Sequence, residues 1–144
     1  MNTKADKMRY QTNKTGYSLI LLGLAISIVA LFSIITPPAI IPNFGIAVEI
    51  LINIVLLLVT FLAAERCKTY SRGWALTSFV IAAIHVLRIF YMPTILVAKG
   101  QLTGFQFMMI VIYLLSAATC IVFGALITLR KHAILMKHLR ELGE

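Results

Sequence analysis

The chain has 144 residues, of which 60% are hydrophobic, with a mean hydropathy of +0.96 and a formal net charge of +8. That apolar content is above the level of ordinary soluble domains and leaves no room for a separate soluble unit between the apolar runs. The excess positive charge does not point to nucleic acid, because 11 of the 13 Lys and Arg residues lie in segments of one parity between apolar runs. They fall before the first run (Lys4, Lys7, Arg9, Lys14), between the second and third (Arg66, Lys68, Arg72) and after the last (Arg130, Lys131, Lys137, Arg140). Such alternation is the positive-inside pattern of a membrane protein. The expected fold class is an all-α integral membrane protein, a four-transmembrane-helix up-down bundle. Both termini are expected to be cytoplasmic, with a short amphipathic C-terminal helix, in a bacterial inner (plasma) membrane.

Residues 1–16 form a polar, basic cytoplasmic segment. The first span is expected over 17–36, too long for the apolar region of a signal peptide and without a convincing small-residue cleavage site. Asn13-Lys14-Thr15 fits a glycosylation sequon, but its expected cytoplasmic side argues against modification. Thr36 to Asn43 (TPPAIIPN) reads as an external turn stiffened by Pro37, Pro38 and Pro42. The second span is expected over 44–64, followed by a cytoplasmic loop from Glu65 to Gly73. The third runs over 74–97, with Trp74 at the interface and Pro93 near its outer end. Ala98 to Gly104 forms the second external turn, and the fourth span covers 105–129. Each run is about 20 to 25 residues, enough for a hydrocarbon core of about 30 Å.

Residues 130–144 are basic and amphipathic. They read as an extension of the last helix against anionic headgroups, or as a docking helix for a protein partner. Lys131, Lys137 and Arg140 are the candidate lipid or partner contacts. Cys67 and Cys120 form no motif, and a disulfide between them is not expected. Ser116, Cys120, Gly124 and Thr128 recur at every fourth position of the last span, and Gly23 and Ser27 lie in the first. Such stripes of small residues permit close helix approach, either within the bundle or against a partner.

The unusual residues are polar ones inside the spans. Charges there are costly and normally face the bundle interior with a partner. Glu49 and Arg88 each lie about five residues from an outer helix end, roughly 8 Å deep. Asn53 is one turn deeper than Glu49, and His85 three residues deeper than Arg88. Antiparallel second and third helices would set Glu49 against Arg88 and Asn53 against His85, with Tyr113 and Ser116 of the fourth helix in support. One reading is structural: the groups neutralise one another and fix helix register. Others are an outward-facing site for an ion, proton or small ligand, contact with another subunit, or an Arg88 that snorkels to the headgroups.

No nucleophile motif, phosphate-binding glycine loop or metal-ligand spacing is present in the sequence, and no cofactor is expected. A bis-histidine haem at His85 would need a histidine from another chain, since His132 and His138 lie in the tail. The leading expectation is a non-catalytic accessory or assembly subunit of a larger membrane complex. Its partners would be membrane lipids and either a membrane-protein partner or further copies of itself, and no nucleic acid. The alternative is a small homo-oligomeric transporter or channel using Glu49, Asn53, His85, Arg88 and Tyr113. The third reading is a haem- or quinone-binding redox subunit.

Overall fold

The computed structural model of the chain describes residues 12–37 and 44–141. The expected turn at 38–43, the start of the N-terminal segment at 1–11 and the last three residues lie outside the described residues. Within them the chain is all-helical: α1 (Lys14–Ile35), α2 (Phe44–Lys68), α3 (Arg72–Ile89), α4 (Met92–Ala98) and α5 (Gly104–Glu141). Four helical stretches are long and apolar enough to cross a membrane, with α3 and α4 counting as one. This marks the chain as a multi-pass integral membrane protein.

The distribution of side chains follows the same logic. Large apolar residues such as Phe32, Leu51, Leu58, Phe61, Val80, Leu87 and Phe123 are exposed on the outer faces. Small and polar residues, among them Ala30, Ala63, Ala117, Ser78, Thr60 and Thr128, are buried between helices. Hydrocarbon offers no penalty to exposed leucine, so close packing falls to small residues. α1 packs most extensively on α5; α3 also packs on α5, and α2 on α1 and α3. The four long helices thus close a ring in which α2 and α5 touch only marginally.

The α1–α5 seam is the tightest. A Cβ added at Gly23 would lie 2.7 Å from Ile121 Cγ1 and 2.9 Å from the Ala117 carbonyl, and one at Gly124 would lie 2.7 Å from Ile20 Cγ1 and 2.9 Å from the Gly16 carbonyl. The face of α5 used here is Ala117, Ile121, Gly124 and Thr128, all buried. Ser116 and Cys120, half-buried, sit at its edge.

Several boundaries differ from the hydropathy reading. α2 runs to Lys68 and α3 starts at Arg72, so the nine-residue loop shrinks to three residues. Hydropathy marks where hydrocarbon ends, whereas Glu65, Arg66 and Lys68 are good helix formers that prolong the ladder. α2 closes in a Schellman arrangement: the Tyr70 N–H donates to Cys67 O at 3.2 Å and the Ser71 N–H to Arg66 O at 3.4 Å. The left-handed position, normally glycine, is Tyr70 at φ 58°. The third span is broken. Pro93 has no N–H and its ring crowds the carbonyl four residues back, so α3 ends at Ile89 and α4 restarts at Met92. The freed Ile89 carbonyl accepts from Thr94 Oγ1 at 2.9 Å.

The amphipathic C-terminal segment is an extension of the last helix as far as Glu141, one of the two readings of that stretch. Nothing between Leu129 and Glu141 breaks a helix, and α5 continues unbroken for 38 residues. Its start is a reciprocal cap: Thr103 N–H donates to Gln106 Oε1 at 2.9 Å, and Gln106 N–H to Thr103 Oγ1 at 3.3 Å.

Candidate functional site

The intramembrane polar groups form two layers. In the first, α2 and α3 bring Glu49 and Arg88 together. Arg88 Nε donates to Glu49 Oε1 at 3.1 Å and Nη2 to the same oxygen at 2.5 Å. Both side chains are buried, at 2% and 8% exposure. Asn53 completes this layer, its Nδ2 lying 2.8 Å from the Glu49 carbonyl and 3.1 Å from Glu49 Oε1. One carboxylate oxygen therefore collects three donors, and the pair is neutral as a whole. In a low-dielectric interior this pairing offsets the cost of two desolvated charges.

His85 forms the second layer, and it does not meet Asn53. Asn53 has a nearer acceptor one turn away on its own helix, while His85 crosses the middle of the ring to α1. His85 Nε2 is 2.8 Å from Ser27 Oγ, and Nδ1 is 2.9 Å from the Ile81 carbonyl. A carbonyl only accepts, so Nδ1 carries the proton. In the neutral ring Nε2 then accepts from the Ser27 hydroxyl. Ser27 Oγ also lies 2.8 Å from the Gly23 carbonyl. Its single proton serves one acceptor at a time, and a charged imidazole would turn it towards Gly23. The nitrogen that a haem iron would require is held by this serine.

Tyr113 stands apart from both layers. It packs against the cluster of Ala30, Ile34, Ile110 and Leu114. It also lines a depression of about 390 Å³ with Ser33, Gln106 and Met109. No cluster of three or more His, Cys, Asp or Glu side chains suited to a metal occurs among the described residues.

At the other end of the helices lies a polar junction that hydropathy does not reveal. Asn13, fully buried, caps α1 by accepting from Gly16 N–H at 3.3 Å. Its Nδ2 donates to Thr128 Oγ1 at 2.8 Å and to Cys67 O at 3.3 Å, and its backbone N–H donates to Lys68 O at 2.9 Å. One side chain thus ties α1 to both α2 and α5. Burial leaves the sequon asparagine inaccessible in the folded chain. An Asn directly before the first helical residues is a recognised cap signal, and it could have been read as one.

The tail cations divide. Lys131 turns inward, its Nζ 2.9 Å from Asn13 Oδ1. Lys137 and Arg140 are exposed, and Lys137 Nζ lies 4.0 Å from Glu141. His132 Nδ1 meets the Tyr70 carbonyl at 2.9 Å, tying the tail to the α2–α3 turn. Burial of the Tyr70 ring pushes its phenol above the ordinary tyrosine range.

No protein family, curated protein or solved structure matches the chain.

Proposed function

We propose that this chain is a non-catalytic accessory or assembly subunit of a larger membrane complex. It crosses a bacterial plasma membrane four times as an up-down bundle with both termini in the cytoplasm. The observation that carries this reading is how the intramembrane polar groups are spent. Glu49 accepts from both Arg88 and Asn53, and His85 is held between Ser27 and Ile81. Groups so engaged set helix register and rotation, a scaffold's need, and a transported ion would first have to break them apart. The orientation is supported by the one-sided distribution of Lys and Arg.

Native mass spectrometry after gentle release from the original membrane tests the reading. A fixed-ratio complex with a different membrane protein is the expected result. A homo-oligomer that moves an ion, with flux lost in Glu49→Gln, would replace it by the transporter reading. A reporter fused at the C-terminus is expected to be active only in the cytoplasm.

A further inference from the structure

A groove of about 560 Å³ runs between the start of α3 and the tail of α5. Its two walls are graded in the same sense. On α3, Arg72 comes first and Leu76 follows one turn inward; on α5, Leu129 lies in the span, with Met136, then Lys137 and Arg140, beyond it. Leu76 and Leu129 make its membrane side apolar, and Arg72, His132, Lys137 and Arg140 line the rest with Met136 among them, over about 16 Å of helix. Among the described residues no acidic side chain lines it, and Glu141, 4.0 Å from Lys137, is exposed. The walls are held in relation by the His132–Tyr70 contact, while Lys131 on Asn13 ties the same stretch of α5 to α1.

We propose that this groove binds one anionic phospholipid. The headgroup lies among Arg72, Lys137 and Arg140 with Met136 against its glycerol, and an acyl chain runs inward along Leu129 and Leu76. The charge on the rim selects an anionic over a zwitterionic headgroup. The apolar floor selects a lipid over a free phosphate, for which Leu76 and Met136 offer nothing. Lipid binding here requires no protein partner and stands apart from the accessory-subunit reading.

The test uses the full chain in bilayer nanodiscs of equal phosphatidylglycerol and phosphatidylcholine, released into native mass spectrometry. One phosphatidylglycerol is expected to be retained in preference to phosphatidylcholine. Each rim cation contributes about fivefold, so Arg72→Gln with Arg140→Gln should lose about 25-fold of that preference. Lys99→Gln, in the other connection, should leave it unchanged. Equal retention of the two lipids by the native chain overturns the proposal, as does an undiminished preference in the double variant. Displacement of the lipid by inorganic phosphate would also overturn it, making the site one for a free anion.

Discussion

Arg88 meets Glu49 through two nitrogens on one carboxylate oxygen, with both side chains buried between α2 and α3. Removing one partner strands the other charge. Glu49→Ala or Arg88→Ala should each cost about 3–5 kcal/mol, whereas Glu49→Gln combined with Arg88→Met should cost less than either. Thermal denaturation in detergent, read as loss of the monodisperse elution peak, gives the order. Single variants as heat-resistant as the native chain would mean that the pair contributes nothing to stability.

Asn13 holds three helices through one amide. Asn13→Ala loses the α1 cap, about 1 kcal/mol, and leaves Lys131 and Thr128 without that partner, adding about 1–3 kcal/mol. Asn13→Asp keeps the capping oxygen and converts the Lys131 contact to an ion pair, so it should fall between the two. The same denaturation assay orders them, and equal midpoints for Ala and native would remove Asn13 from any structural role.

The α1–α5 seam leaves no space for a side chain at two glycines. Gly23→Ala and Gly124→Ala each force a Cβ within 3 Å of a backbone carbonyl on the facing helix, and should destabilise by about 1–3 kcal/mol. Cys120→Ala, at the edge of the seam, should change stability by less than about 0.5 kcal/mol. Unchanged midpoints in both glycine variants would place the seam further apart than described.

Alkaline pH should act through Tyr70. Its folded-state pKa is raised by burial, so below the ordinary value of about 10 the ring is neutral in both states and its contribution is intact. That contribution is lost as pH rises through the folded value, because the unfolded chain ionises first. Tyr70→Phe should therefore flatten the fall in denaturation midpoint between about pH 9 and 11. Parallel curves for the two proteins would show that Tyr70 does not report on folding.

The spans were legible because hydrocarbon imposes a length on apolar runs. The end of α2 was not, since Glu65 to Lys68 continue the backbone ladder after hydropathy falls, whereas the run-on of the last helix past Arg130 was one of the two readings of the tail. Depth counting brings Glu49 opposite Arg88, because both are measured from the outer ends of neighbouring helices. It gives depth without rotation, and so it missed His85. Three residues from Arg88, His85 is turned by about 60° around α3, enough to face α1 instead of α2. Tyr113 failed for the same reason, being turned towards a depression it lines with Ser33 of α1. The T-x-x-Q cap at Thr103 and the Asn13 cap were present in the sequence as signals of helix starts. Tyr70 was not readable, because a tyrosine in the left-handed position goes against its own preference.

The three-residue turn between α2 and α3 bears on how the chain enters a bilayer. During synthesis α2 is complete at Lys68, and Arg88 follows twenty residues later. A lone α2 in hydrocarbon would carry Glu49 uncompensated, and a lone α3 would carry Arg88, each at about 2.5–3.5 kcal/mol or more. Joined by so short a turn, the two helices form the smallest unit whose charges cancel. The least costly route from the ribosome is therefore entry of the hairpin as a pair, with α2 waiting in an aqueous or proteinaceous vestibule until its counter-ion has been translated.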